Sequence, residues 1–173
     1  MPRIALIHAL SHAVDPINLA LARDWPQAQR MNLLDDSLSA DLAANVERSG
    51  QGQDAAMHLR FERLAQYAID CGSDAILFTC SAFGSCIAAV AAAHTHTPVL
   101  TPNEAMVHDC AQIKGGVGLV ATFAPTLASM PREFPVTVDL RTSLAQGALA
   151  AWDCTPFCST RPIPIAFMWP SDR

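Results

Sequence analysis

The stretch "DAILFTCSAFG", residues Asp74–Gly84, changes character halfway along. Its first half, through Ile76, Leu77, Phe78 and Thr79, is aliphatic, aromatic and β-branched, as a buried strand requires. Its second half opens "SAFGSCIAAVAAAH" (Ser81–His94), which reads as a helix. A strand handing over at once to a helix is the joint of a β–α unit, and Cys80 occupies that joint. The same rhythm extends outward. "RIALIHAL" (Arg3–Leu10) is a continuous apolar run of strand length, the mark of a strand covered on both faces. "DPINLALARDW" (Asp15–Trp25) predicts a helix with Asp15 as N-cap and Pro16 at the first helical position. "RMNLLDDSL" (Arg30–Leu38) predicts a second strand running into a polar turn.

From Asp54 to Asp70, apolar residues recur at helical spacing at Met57, Phe61, Leu64, Tyr67 and Ala68, and Cys71-Gly72 ends that helix. "TPVLTP" (Thr97–Pro102) predicts a short strand, "NEAMVHDCAQI" (Asn103–Ile113) a helix capped by Asn103, and "GGVGLVATF" (Gly115–Phe123) another strand. Strands alternating with helices define an α/β class with a largely parallel sheet.

Composition limits the function classes. The chain has 173 residues, of which 51% are hydrophobic and 16% charged, so a real core can form. A net charge of −5 argues against nucleic acid or an anionic membrane as partner. The opening "MPRIALIHAL" is followed at once by Ser11, His12 and Asp15, which suits a buried strand better than a signal peptide or a spanning helix. Six cysteines without a signal peptide read as reduced thiols of a cytoplasmic protein. Cys154 and Cys158 lack a second pair to complete a zinc site, and no metal is expected.

In open α/β sheets ligands bind outside the carboxyl ends of the strands, where Cys80 falls. The first turn of a helix offers unpaired N–H groups and partial positive charge, which favour a thiolate. Ser81 and Gly84 would leave those amides open to an anion such as a carboxylate. The competing account makes Cys80 a small buried hydrophobe. "ILFTCSAFGS" (Ile76–Ser85) and "GLVATFAPTL" (Gly118–Leu127) share a form: an apolar strand, a threonine near its end (Thr79, Thr122), then small residues. That echo suggests two related half-units facing one cleft suited to a small substrate.

"FTCSAFG" (Phe78–Gly84) resembles the first cysteine motif of the aspartate/glutamate/hydantoin racemase superfamily. "VGLVATFAPT" (Val117–Thr126) resembles the motif opening that family's second domain, and "TPNEAM" (Thr101–Met106) stands where the family has a Pro-x-x-Ala crossing segment. The resemblance implies a parallel-sheet, three-layer Rossmann-like lobe over residues 1–100, carrying Cys80. The start of a second, similar but incomplete lobe follows over 101–150, then an irregular tail over 151–173. It implies a cofactor-independent amino-acid racemase-like enzyme with no bound cofactor. The alternative is a one-cysteine decarboxylase or isomerase of the same superfamily, or a truncated, catalytically silent member.

The chemistry expected of the family follows from the weak acidity of a hydrogen next to a carboxylate. Donors must stabilise the developing charge, and a base must face that hydrogen. By the resemblance, Cys80 is the acid/base. Ser81, Thr122 and amides near Gly84 hold the carboxylate, with Thr79, Thr126 and Asn18 as further binding candidates. Asp35 and Asp36 would line the rim. Inversion needs a second acid, which family racemases supply as a second cysteine late in the chain. Here "DCTPF" (Asp153–Phe157) faintly resembles that motif and makes Cys154 the candidate partner, with Cys158 behind it. Yet it follows "LAQGALAAW" (Leu144–Trp152), which reads as helix, and the four prolines of the tail break the βα rhythm. The tail is therefore expected to be foreign to the family, as a shifted reading frame would make it. An incomplete second lobe would leave apolar surface for a homodimer to cover.

The remaining motifs read as structural. Cys86 is expected in the core, and Cys71 and Cys110 in helix-end packing. His94–His96 ("HTH") reads as a solvated helix end rather than a metal site, and His8 and His12 as structural histidines. Gly115, Gly116 and Gly118 precede their strand, so they make no dinucleotide fingerprint.

Overall fold

The computed structural model describes residues 1–113, 115–121 and 123–144. They divide into two compact units, the first Met1–Pro102 and the second beginning at Asn103.

The first unit is a Rossmann-like α/β lobe. Its elements are β1 (Arg3–His8), α1 (Val14–Asp24), β2 (Gln29–Leu34), α2 (Ser37–Ser49), α3 (Ala55–Asp70), β3 (Ala75–Phe78), α4 (Gly84–Ala93) and β4 (Val99–Leu100). The strands form one parallel sheet in the order β2-β1-β3-β4. The chain leaves β1 in one direction to make β2 and returns past it to make β3. Such a reversal of strand order is the place, outside the carboxyl ends of the strands, where open α/β sheets bind ligands.

Strand alternation sorts the core into two layers. Ile4 and Leu6 of β1 join Ala28, with Ile17 and Leu21 of α1 and Leu77 of β3 packed against them. Ile76 and Phe78 point the other way, where the Phe78 ring stacks on Phe61 of α3 at 5.1 Å and Phe61 meets Phe83 at 4.9 Å. Cys80 continues the Ile76–Phe78 parity in an extended conformation (φ −122°, ψ 120°), so it belongs to the α3 face. His8 and Thr79 belong to the α1 face.

Local sequence explains most boundaries. Asp54 caps α3, its side chain accepting from the Met57 amide at 2.9 Å. Gly72 follows α3 with φ +78°, a left-handed turn that glycine enters without strain. Four expectations are corrected. Helix α1 starts at Val14 after a short 3-10 turn (Ser11–Ala13), with Ala13 rather than Asp15 at its N-cap. Tyr67 faces solvent, and the buried stripe of α3 is Met57, Phe61, Ala65 and Ala68. Asn103 stands at the N-cap of its helix without a capping bond. The segment after Cys80 is a 3-10 turn (Ser81–Phe83), and α4 begins only at Gly84.

The second unit holds α5 (Glu104–Ala111), β5 (Gly116–Ala121), α6 (Ala124–Ser129) and β6 (Asp139–Leu144). Strands β5 and β6 pair in parallel from Gly116↔Asp139 to Ala121↔Leu144. Their core is Cys110, Val117, Leu119, Met130 and Phe134. Among the described residues no helix is long and apolar enough to cross a membrane.

Candidate active site

Cys80 lies at the carboxyl end of β3, two residues beyond its last paired position, and is 8% exposed. Three influences act on its thiol. Burial is the largest and pushes the pKa up; a hydrogen bond from the Ala82 backbone N–H and one with the Ser39 hydroxyl pull it down. Burial wins, so the resting thiol is protonated. This corrects the expectation of a thiolate held by a helix N-terminus. The 3-10 turn separates Cys80 from the start of α4, and a helix dipole acts only within about one turn of its end.

The turn behind Cys80 is braced from the loop before α3. Gln53 Nε2 donates to the Ala82 carbonyl at 2.7 Å, Ser85 Oγ donates to Gln53 Oε1, and His58 Nε2 lies 3.5 Å from Ser85 Oγ. Ser39, on α2, donates to the Ala9 carbonyl just past β1 at 3.3 Å. Residues from three separate segments thus surround the sulfur and its turn: Ser39, Gln53 and the peptide at Ala82. The turn residue Ser81 is itself buried.

On the opposite face a polar chain runs along the strand ends. His8 is fully buried, and burial lowers its pKa while the Asn32 bond opposes this. A neutral imidazole has one N–H. Asn32 Oδ1, which accepts from Asn18 Nδ2 at 2.7 Å, also lies 2.9 Å from His8 Nε2. That assigns the proton to Nε2 and leaves Nδ1 to accept from the Thr79 hydroxyl at 2.9 Å. Thr79 alternatively reaches the Ile7 carbonyl at 3.3 Å.

The sequence-derived site residues divide accordingly. Cys80, Ser81 and Gly84 share one turn at the sheet edge. The Thr79 hydroxyl is spent inward on His8, and Asn18 on Asn32 and the Val14 carbonyl at 2.8 Å, so both hold strand ends together. Asp35 does stand past β2, but its carboxylate is gripped by Arg60, which donates to it at 2.7 and 2.5 Å and to Asp41 at 2.6 Å. Thr126, in the second unit, is fully buried, and among the described residues its hydroxyl has no hydrogen-bond partner. Thr122, Cys154, Cys158 and the tail lie outside the described residues. His94 is not simply solvated: its Nε2 pairs with Glu62 Oε1 at 2.6 Å. Among the described residues no cluster of three or more His, Cys, Asp or Glu side chains is placed to hold a metal ion.

Ser39 and Gln53 carried no signal in the sequence. Both matter only through the packing of α2 and of the α2–α3 loop against the end of β3. Fold and site together define an α/β lobe presenting a hydrogen-bonded thiol at the carboxyl edge of a parallel sheet. No protein-family model matches the chain, and no curated protein matches its sequence.

Proposed function

We propose that the protein is a cofactor-independent racemase-like enzyme that acts on small carboxylates, amino acids or their derivatives, with Cys80 as acid/base. The observation that carries this reading is a thiol at the carboxyl end of a central strand, supported by two uncharged partners, the Ala82 amide and the Ser39 hydroxyl. Such a thiol serves either proton state. Protonated, it is an acid at the carboxyl end of the sheet; ionised, it is a base that those two donors stabilise. Ser81 and the amides running to Gly84 receive the substrate carboxylate. The Cys80 sulfur removes the α-hydrogen, the C–H electron pair moves into the carboxylate to give an enediolate, and a second acid returns a proton to the opposite face. Cys154 is the candidate for that second acid.

One observation favours a second reading. Among the described cysteines, Cys71 closes α3, Cys86 is buried in α4 and Cys110 in the core of the second unit; none ends a strand. A one-cysteine decarboxylase or isomerase needs no partner thiol. When carbon dioxide leaves a malonate-type acid, the electron pair stays on carbon, and protonated Cys80 delivers the proton.

The two readings part in heavy water with single enantiomers of small amino and dicarboxylic acids. Exchange of the α-hydrogen with inversion supports the racemase, and decarboxylation with deuterium uptake, or exchange without inversion, the one-cysteine route. No turnover across the panel makes the chain a catalytically silent fold.

A further inference from the structure

The residues from Ser81 to His94 are composed like one helix, yet α4 begins only at Gly84. Gly84 is already helical at φ −50° and ψ −45°, and the break falls at Phe83, at φ −116° and ψ 28°. In a helix begun at Ser81, the Ala82 carbonyl would accept from the Cys86 N–H, four residues on. Instead Gln53 Nε2 donates to that carbonyl at 2.7 Å. A carbonyl only accepts, so the end of the Gln53 amide on Ala82 is its NH2, and Oε1 is left to accept from Ser85 Oγ. One side chain from the α2–α3 loop therefore grips the chain on both sides of the break. Ala82 is fully buried, so a carbonyl released by Gln53 would need a partner within the protein.

We propose that Gln53 is a positioning residue: it holds the Ala82 carbonyl away from the Cys86 amide and so keeps α4 from winding back through Ser81–Phe83. The segment between Cys80 and Gly84 stays a turn for as long as that grip lasts. This inference deepens the proposed function and rests on it for its catalytic meaning, because the same turn is the seat assigned to the substrate carboxylate.

The test does not depend on knowing the substrate. The 13Cα shifts of Ser81–Phe83 and the exchange of the Cys86 amide are followed by NMR in wild type and Gln53→Glu. An ionised glutamate only accepts and cannot serve the Ala82 carbonyl. A protonated one has a hydroxyl for Ala82 and a carbonyl for Ser85, and so reproduces the glutamine. At about pH 7.5, Gln53→Glu should move Ser81–Phe83 to helical shifts and slow exchange of the Cys86 amide about tenfold, the effect of one added hydrogen bond. At about pH 4 both should return to wild-type values. The recovery is diagnostic, because packing loosened by a merely structural defect would not heal on acidification. The titratable groups beside the grip are His58, 3.5 Å from Ser85 Oγ, and Asp54, whose carboxylate accepts from Asn45 and from the Met57 amide. Wild type carried through the same pH range accounts for both.

Should Gln53→Glu fold poorly, the wild-type amide decides: one of the two Gln53 Nε2 protons should exchange slowly. An unchanged turn in Gln53→Glu at neutral pH would assign the break to the ring contact of Phe83 with Phe61 and overturn the proposal. A change that persists at about pH 4, or fast exchange of both Nε2 protons in wild type, overturns it as well. A change that reverses supports it even if no carboxylate turns over. Turnover with an unchanged turn removes Gln53 and leaves the proposed function standing.

Discussion

At Cys80 two effects compete, and their balance decides what the residue can do. Removing a sulfur anion from water is costly, and here that cost exceeds what two hydrogen bonds return. The result is a thiol that stays protonated at rest. His8 shows the same physics with the opposite sign. Burial favours its neutral form and holds its pKa below the ordinary 6.5. As pH falls through that value the unfolded chain takes up a proton that the native state refuses, so stability drops with falling pH. Urea midpoints measured from neutral to mildly acidic pH should therefore decline in wild type below pH 6.5. His8→Gln, which cannot charge, should begin less stable and show a flatter decline. Parallel profiles would mean that His8 is not the titrating group.

At the scale of elements, the α2–α3 connection gives the site its geometry. Asn45 on α2 donates from Nδ2 to the Gly52 carbonyl and to Asp54 Oδ2, both at 3.2 Å, which fixes the loop carrying Gln53. Gly52 is seated tightly there: an added Cβ would lie 2.6 Å from Leu42 Cδ1 and 2.9 Å from Val46 Cγ2. Gly52→Ala should cost about 1–3 kcal/mol in chemical denaturation, and it should also raise the reactivity of Cys80 by releasing the turn. A variant as stable as wild type would show that the loop is not wedged against α2.

The same elements explain what the sequence could and could not convey. Strands β1 and β3 were legible because both of their faces are covered, which writes an unbroken apolar run. Helix α2 went unread because its buried stripe is only Leu38, Leu42 and Asn45 within a run of Ser, Asp and Asn. Strand β6 went unread because Asp139, Arg141, Thr142 and Ser143 are all exposed, so no alternation marks it. Cys80 could be found from its joint, but its partners arrive from α2 and from a loop. The roles of Thr79 and Asn18 depended on a strand register, which opposes Leu6 to Asn32 and Ile7 to Phe78 and which no local pattern states.

At the scale of the molecule, three of the described thiols bear on its behaviour in alkali. Burial raises the pKa of Cys80 and Cys86 in the first unit and of Cys110 in the second, with Cys86 pushed up to about 12. Above the ordinary thiol value of 9.0 the unfolded chain loses protons that the native state keeps, so the native state is progressively disfavoured as pH rises toward 12. Thermal midpoints should fall from pH 9 upward, and Cys86→Ala should start lower and fall less steeply; an identical slope would contradict the assignment. For the activity of the molecule, the deciding measurement is α-deuterium incorporation into small amino and dicarboxylic acids in heavy water, comparing wild type with Cys80→Ser. The account predicts incorporation by wild type and its loss in a Cys80→Ser variant that remains folded. Undiminished incorporation by Cys80→Ser would contradict it.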